Sequence, residues 1–189
     1  MAFDKKLKAD TIIFEMYKSI PAGNELMLKP IVPDTIDSEA FFYKLNTHNE
    51  GVKKYLPSVY VESEEEAKKK LLDFITRQLL RGTLFYCIHL TPKPLPVGYI
   101  HFSTPFTATG LDGWSVEYWV GEAAQGQGIM SISLSHALAY LQQNLVPEVK
   151  ALVHEDNKGS IRVLEKVGFS FIHQERGGEK RFLYVIRLN

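Results

Sequence analysis

Runs of apolar, β-prone residues recur along the chain and are separated by short polar stretches or by stretches that contain proline and glycine. Short apolar runs bounded by such turn signals predict strands. Residues 21–24 predict a turn between the first two strands, and the proline-rich segment 91–96 predicts a rigid turn between the third and the fourth. The predicted strands are residues 11–20, 25–31, 83–90, 95–103, 114–120, 149–153, 169–173 and 181–188.

Three segments show helical patterns. Residues 34–45 form the first, and the capping box of Ser63 and Glu66 opens a second that ends near Leu80. A third follows Gly128, where apolar residues recur at three- and four-residue spacings and so share one face that we expect to pack on a sheet. The residues of this face are Met130, Leu134, Ala137, Leu138, Leu141 and Leu145.

The order of these elements indicates an α/β (α+β) fold. Strands first follow one another directly and later alternate with helices, which is typical of a mixed sheet flanked by helices. A length of 189 residues suits one domain, which we place at residues 1–189, with residues 1–24 as an N-terminal extension or extra strand.

Charge and cysteine content narrow the function classes. Lys plus Arg and Asp plus Glu both number 22, so the chain lacks the basic balance typical of nucleic-acid binding. The single Cys87 excludes an intrachain disulfide, and its apolar neighbours indicate a buried strand thiol rather than a nucleophile. No signal peptide or spanning helix is visible, so we expect a cytoplasmic location and no membrane partner.

The segment from Glu117 to Met130 carries the strongest functional signal. An apolar strand runs through a short loop into Gln-Gly-Gln-Gly-Ile-Met over residues 125–130, where two glycines predict a turn that opens a helix. Free N–H groups at a helix start favour a bound phosphate, because the helix dipole and the donors act together. Ser131 replaces the third glycine of the dinucleotide fingerprint, and the Gly-Lys-Ser/Thr ending of the Walker loop is absent.

The same residues resemble a known family. Gln-x-x-Gly-x-Met, counted from Gln125, is similar to the Gln/Arg-x-x-Gly-x-Gly/Ala pyrophosphate loop of the GNAT acetyltransferases. Downstream, the segment from Asn157 to Phe169 resembles the family's Asn-x-x-Ser/Ala helix, with Asn157 as N-cap and Gly168 at its end. Together with the strand Tyr118-Trp119-Val120, these motifs resemble the RimJ/RimL-type subfamily, which acetylates the N-termini of ribosomal proteins.

The resemblance implies a mostly antiparallel sheet of about seven strands with splayed central strands, and acetyl-CoA as cosubstrate with no metal. The acetyl-pantetheine arm would lie at the splay, with Trp119 and Val120 nearest the thioester and Asn157 beside the arm near the sulfur. Met130 stands where the family prefers glycine or alanine. The residues expected to hold the pyrophosphate are Gln125, Gly126, Gln127, Gly128, Ile129 and Met130.

The acid for the leaving thiolate is one open question. Many GNAT enzymes place a tyrosine seven residues after the Asn157 position, but this chain has Leu164 there. By resemblance to RimL-like enzymes, the Ser160 hydroxyl takes this role, since a hydroxyl can donate to sulfur. The alternative is that Ser160 only fills the first turn of its helix.

The base for the acceptor amine is a second open question. Glu117 is the candidate, because strand alternation places it on the same face as Ser115 and Trp119. Many relatives carry their strand glutamate at the position of Ser115, so Glu117 has either taken over the task or serves another. Glu175 and Glu179 are weaker candidates.

These features predict an N-acetyltransferase that works by direct amine attack in a ternary complex, as a monomer or homodimer. An α-amine with a pKa of ~8 is neutral in about one molecule in ten at pH 7, against about one in several thousand for lysine at ~10.4. A protein N-terminus therefore needs little help from a base, and the resemblance to the RimJ/RimL type implies that it is the acceptor. A polyamine or an aminoglycoside is one alternative, and a non-catalytic acyl-CoA-binding module is the other.

The six histidines show no metal-ligand spacing, and no cysteine or carboxylate cluster accompanies them in the sequence, so no metal site is predicted. His89 and His101 lie on predicted strands, where they line the acceptor cleft or are core or surface histidines. Trp114 and the aromatic residues 41–43 either shape that cleft or pack.

Overall fold

The computed structural model describes residues 18–91, 96–105, 111–175 and 180–188, and their strands form one sheet in the order β1-β2-β3-β4-β5-β6-β8-β7. Neighbouring strands are antiparallel except β5 and β6, which run parallel. The sheet has eight strands where about seven are predicted, and the mixed, mostly antiparallel architecture is confirmed. The strands are β1 (Ile20–Ala22), β2 (Leu26–Pro30), β3 (Thr83–Leu90), β4 (Pro96–Ser103), β5 (Trp114–Val120), β6 (Glu148–His154), β7 (Ser170–Gln174) and β8 (Arg181–Arg187).

Five α-helices flank this sheet in the part of the chain that the structure describes. They are α1 (Ile36–Thr47), α2 (Glu50–Tyr55), α3 (Glu64–Leu79), α4 (Ile129–Gln143) and α5 (Lys158–Lys166). The sequence reading missed α2, because a six-residue helix is too short to show a 3.6-residue repeat. Over these same residues, no helix has both the length and the apolar character that crossing a bilayer requires.

The predicted capping box at the start of α3 is confirmed, with one change in its geometry. The Ser63 hydroxyl oxygen accepts from the Glu66 amide at 3.2 Å. The Glu66 carboxylate reaches back to the amide of Glu62 at 2.8 Å, one residue before the cap. Each bond satisfies an amide that the helix itself leaves free, so the start of α3 is specified locally.

The predicted N-terminal turn lies two residues too early. Pro21 is inside β1, and the turn begins at Gly23, which takes a φ of +76°. Proline is tolerated there because β1 is an edge strand, where a missing N–H costs least. Residues 11–17 of the predicted first strand lie outside the described residues, and the domain prediction for residues 1–189 stays a prediction.

The predicted apolar face of α4 is confirmed up to Leu141 and wrong at Leu145. The helix ends at Gln143, and Leu145 is 78% exposed with a φ of +61°. Val146 is buried in its place, and its amide donates to the Leu141 carbonyl at 3.1 Å. The left-handed residue turns the chain so that the next side chain returns to the core.

An apolar core lies on each side of the sheet. On the α4 face, buried residues of α4 and Leu164 of α5 pack against the strands. On the α1/α3 face, α1 and α3 cover residues such as Phe85 and Trp119. Tyr43 belongs to this second core and its hydroxyl donates to the Val59 carbonyl at 3.1 Å, while Phe41 is exposed. Packing is thus the role of Tyr43, and Trp114 packs on the α4 face.

The central strands part as predicted. β5 pairs with β6 only through Trp114 with Val149 and Ser115 with Lys150. Beyond this point β5 continues beside β4 to Val120, and β6 continues beside β8. The ladder therefore opens into a gap that begins in the middle of the sheet.

Candidate functional site

The gap between β5 and β6 encloses a small cavity of about 40 Å³. Val116, Glu117 and Tyr118 line it from β5, and residues 151–154 line it from β6. Leu164 closes it from α5 and is 1% exposed. The position where the resemblance implies a tyrosine acid is therefore filled by an apolar core residue that has no proton to give.

A larger cleft of about 610 Å³ adjoins this cavity on the α4 face. It runs along the end of β5, the loop before α4, the first turn of α4, the length of α5 and the short helix α2. Both spaces share one set of lining residues, so a single elongated ligand can lie in the cleft with one end in the strand gap. The shared residues are Tyr55, Leu56, Tyr118, Asn157 and Ser160.

The loop before α4 has the backbone conformation that its glycines predict. Gly126 and Gly128 each have a φ of +75°, and a Cβ added at either would meet no atom within 4 Å. Gly128 is the N-cap of α4 and provides no side-chain cap. Within the described residues, the first α4 amide with a main-chain acceptor is that of Ile132, which donates to the Gly128 carbonyl at 3.1 Å. The earlier amides of α4 have no main-chain acceptor within these residues, as anion binding at a helix start requires.

The predicted loop residues divide into two groups. Gln125, Gly126 and Gly128 line the cleft together with Ile129 and Met130. Ile129 and Met130 are also buried in the core of the α4 face. This core accommodates the Met130 side chain, which is larger than the glycine or alanine that the family prefers at this position.

Gln127 is absent from the cleft lining. Its side-chain amide donates to the Ala123 carbonyl at 2.8 Å, which braces the loop from outside. The Gln125 amide similarly donates to the Val120 carbonyl at 3.4 Å. Both glutamine side chains therefore hold the loop in shape.

The start of α5 brings two predicted residues together. The Asn157 side-chain oxygen accepts from the Ser160 amide at 3.1 Å, which confirms Asn157 as the N-cap. Ser160 is half-buried and lines both cavities. The cap fixes the first turn of α5 and with it the position of the Ser160 side chain at the strand gap.

Tyr118 is a site residue that the sequence reading named only as part of the strand. Its hydroxyl donates to the Ser160 carbonyl at 3.0 Å and so ties β5 to α5 across the gap. Burial raises the pKa of Tyr118 well above its usual value, and the hydrogen bond to Ser160 partly opposes this. Tyr118 is therefore a neutral donor at physiological pH. Sequence alone could not show this partner, which lies 42 residues away.

Glu117 lies on the opposite side of β5, with a histidine as its partner. Its carboxylate oxygen is 3.4 Å from Nδ1 of His101, which is directly opposite on β4. The hydrogen bond from His101 lowers the pKa of Glu117, and partial burial opposes it. The side chain remains 47% exposed. His101 packs among Phe74 and Phe85, so it is a core histidine that contacts the candidate base.

Trp119 and Val120 both line the cleft, but they do so differently. The Trp119 ring is buried on the α1/α3 face beside Tyr43 and Tyr99, so its main chain faces the cleft. The Val120 side chain packs on the α4 face. Gly98, opposite Val120, is required here because a Cβ would lie 2.7 Å from the Trp119 carbonyl oxygen.

Three basic residues of α5 line the cleft without having been predicted. Lys158, Arg162 and Lys166 are spaced four apart, which places them on one helical face. The only acidic residue of the cleft lining as described is Asp156. The i, i+4, i+8 spacing is visible in the sequence and would have predicted a positive wall for an anionic ligand.

The remaining candidates lie elsewhere. Cys87 is buried, which confirms the prediction of a buried strand thiol, and burial raises the pKa of that thiol. The expectation that no cysteine or carboxylate accompanies a histidine is wrong for His89, which lies beside Cys87 and Glu39. Glu175 hydrogen-bonds His173 at 3.1 Å, and Glu179 lies outside the described residues.

Comparisons with known proteins give a consistent picture. A family model described as "Acetyltransferase (GNAT) domain" matches residues 25–170. No curated protein sequence matches the chain at a significant level.

Several solved structures share the fold. RimL, a ribosomal L7/L12 alpha-N-protein acetyltransferase in complex with coenzyme A, superposes with a TM-score of 0.75 at 19% identity, over 90% of this chain and 98% of its own. The acetyl transferase from Salmonella typhimurium that modifies the N-terminal serine of L7/L12 gives 0.76 at 19%, over 91% and 100%. The ribosomal-protein-S5-alanine acetyltransferase from Vibrio fischeri gives 0.74 at 16%, over 91% and 97%.

Proposed function

The chain belongs to the GNAT family of acetyl-CoA-dependent N-acetyltransferases, and we propose that its acceptor is the α-amine of a protein or peptide N-terminus. The observation that carries this proposal is the strand gap, which joins the cleft on the α4 face to the Glu117 carboxylate on the other. The two substrates can thus approach one point from opposite faces, as direct transfer requires.

The cleft fits coenzyme A in its chemistry. The uncapped amides at the start of α4 suit a diphosphate, and Gly126 and Gly128 leave open space where its oxygens would approach. Arg162 and its two basic neighbours on α5 add positive charge along the same cleft. When bound there, acetyl-CoA supplies the acetyl thioester, and Asn157 lies beside the arm near the strand gap.

Two residues handle the protons in this proposal. Ser160, at the strand gap, holds a hydroxyl proton for the departing sulfur, and the first turn of α5 keeps it in place. Glu117 accepts the proton that the amine loses as its nitrogen bonds to the acetyl carbon. His101 keeps the Glu117 carboxylate ionised, so the acceptor itself must reach its neutral form easily. An α-amine does so near pH 7, and a lysine side chain does not.

Two of the structures of similar fold belong to proteins described as acting on ribosomal-protein N-termini, which supports an N-terminal acceptor.

The test measures thiol release from acetyl-CoA with four acceptors: a peptide with a free N-terminus, the same peptide N-terminally blocked but containing lysine, spermidine and an aminoglycoside. We expect transfer to the free N-terminus, with mass spectrometry locating the acetyl group on the α-amine. Faster transfer to the blocked peptide, or to either small amine, would contradict the proposed acceptor. Coenzyme A binding without transfer to any of the four would indicate a binding module.

The proposed roles of Ser160 and Glu117 can each be tested with a control substitution of the same residue type away from the site. Ser160→Ala should lower kcat about 10²-fold, at the lower end of what a positioned acid contributes, while Ser170→Ala on exposed β7 should not. Glu117→Gln should lower kcat about tenfold or more, against no change for Glu62→Gln. Unchanged rates in both Ser160→Ala and Glu117→Gln would remove the proposed roles but leave the acceptor assignment standing.

A further inference from the structure

We propose that Glu39, Cys87 and His89 form a structural zinc site on the α1/α3 face, separate from acetyl transfer. Cys87 and His89 are two residues apart on β3, so both side chains point to the same side of the sheet. Glu39 reaches them from α1. The ligand atoms of the three residues lie within 4.8 Å of one another.

Burial makes this cluster unusual. Glu39, Cys87 and His89 are each more than nine-tenths buried. The Glu39 Oε1 atom is 3.7 Å from Nε2 of His89, while Oε2 has no hydrogen-bond partner among the described residues. A buried carboxylate oxygen without a partner is costly, and a bound cation would satisfy it.

The surroundings supply little other compensation. The Cys87 thiol is a weak hydrogen-bond donor to Glu39, and Lys29, which lies opposite Cys87 on β2, acts on that carboxyl only through space; burial outweighs both and raises the pKa of Glu39. Tyr99, opposite Cys87 on β4, also has a buried hydroxyl without a partner among the described residues.

The donor set favours zinc. One sulfur, one imidazole nitrogen and one carboxylate oxygen are the ligand types that Zn²⁺ takes in proteins. The 3.7 Å between Glu39 and His89 is close to the separation of two ligands around a tetrahedral zinc at about 2.0–2.2 Å from each. Binding replaces the S–H bond of Cys87 by a Zn–S bond, and the proton passes to solvent.

A bound ion would tie α1 to the sheet. The same helix carries Asn46, whose side-chain amide donates to the Pro96 carbonyl at 2.9 Å and whose oxygen would clash with a Cβ at Gly121. α1 therefore braces the segment that leads into the phosphate loop. We expect zinc to raise the melting temperature of the protein.

The test titrates metal-free, reduced full-length protein with Co²⁺ as a spectroscopic substitute for zinc. Because Cys87 is the only cysteine, a thiolate-to-cobalt charge-transfer band reports this one site. We expect the band to saturate at one Co²⁺ ion per chain and to disappear when Zn²⁺ displaces the cobalt. We also expect Zn²⁺ to raise the melting temperature. Mass spectrometry of the native protein gives the zinc stoichiometry independently.

Substitutions at Glu39 and His89 distinguish a metal site formed by all three residues from metal binding by the Cys87 thiol only. His89→Gln and Glu39→Gln should each weaken Co²⁺ binding at least tenfold, and the exposed His136→Gln should not. A band of unchanged affinity in both ligand variants overturns the proposal. If these variants do not fold, the wild-type titration decides: no charge-transfer band and no zinc-dependent melting shift overturn it as well.

Discussion

The substitution Gly128→Ala tests whether the backbone at the start of α4 binds the diphosphate of coenzyme A. Gly128 has a φ of +75°, and a Cβ there meets no protein atom within 4 Å. Any effect on the fold therefore comes from backbone strain alone. Gly23 is a matched control, since it has a φ of +76° and equally open surroundings in the turn between β1 and β2.

The expected magnitudes follow from this geometry. An alanine in the left-handed region costs about 1–2 kcal/mol, and each kcal/mol lowers the melting temperature of a chain of this size by roughly 2–4 °C. Both variants should show this loss. Only Gly128→Ala also changes the orientation of the amides at the start of α4, which are proposed to bind the diphosphate of coenzyme A. Losing a hydrogen bond to a charged group costs about 1.5–3 kcal/mol. Coenzyme A affinity should then fall about 10- to 100-fold.

Calorimetry with coenzyme A measures the affinity, and differential scanning fluorimetry measures the stability of both variants. Comparing the two glycines removes the shared strain from the result. If Gly128→Ala binds coenzyme A as tightly as Gly23→Ala does, the amides at the start of α4 do not hold the diphosphate, and the proposed orientation of acetyl-CoA is wrong.

Three further predictions concern charge and hydrogen bonding at the site. Because His101 lowers the pKa of Glu117, that carboxylate is ionised above about pH 5, so kcat/KM should rise with pH along a single limb as the acceptor amine loses its proton near ~8. A second titration above pH 6 that disappears in Glu117→Gln would contradict this. Arg162→Ala should raise the KM for acetyl-CoA several-fold at low salt and less at high salt, because salt screens the charge of an exposed side chain. Steady-state kinetics at two salt concentrations measure this, and an equal ratio of variant to wild-type KM at both would exclude a charge effect. Tyr118→Phe removes the donor to the Ser160 carbonyl and should raise the KM for acetyl-CoA about two- to tenfold. Tyr184→Phe, which loses its hydrogen bond to Glu165, is the control and should leave this KM unchanged in the same assay.

Local signals in the sequence predicted the parts of the fold that are specified locally. The capping box at Ser63 set the start of α3, and the apolar repeat from Met130 to Leu141 identified the face of α4 that is buried. The failure at Leu145 has the same origin. The spacing of Leu145 fits the repeat, but the helix ends at Gln143 and Leu145 takes a left-handed conformation. Apolar periodicity contains no information about where such a turn ends a helix.

Contacts between distant segments could not be predicted in this way. The bond from Tyr118 to Ser160 and the proximity of Glu39 to Cys87 depend on how α5 and α1 pack on the sheet. The spacing of Cys87 and His89 was visible in the sequence, but the carboxylate that completes the cluster comes from a helix 48 residues earlier than the cysteine, by the difference of their residue numbers. Sequence spacing finds ligands on one element and misses those that packing adds.

Strand alternation along β5 has a consequence for catalysis. Tyr118 and Val120 face the side of the sheet where α4 lies, and Glu117 and Trp119 face the other, although these four residues are consecutive. Glu117 and Ser160 both line the cavity in the strand gap, but no hydrogen bond joins them among the described residues, so we expect separate groups to take the amine proton and to protonate the leaving sulfur. The thiolate needs its own donor on the α4 face, and Ser160 is placed there by Asn157 and Tyr118. A one-residue shift in the pairing of β4 with β5 would exchange the two faces. The close approach of Gly98 to the Trp119 carbonyl, where any side chain would clash, favours the register that the proposed chemistry requires.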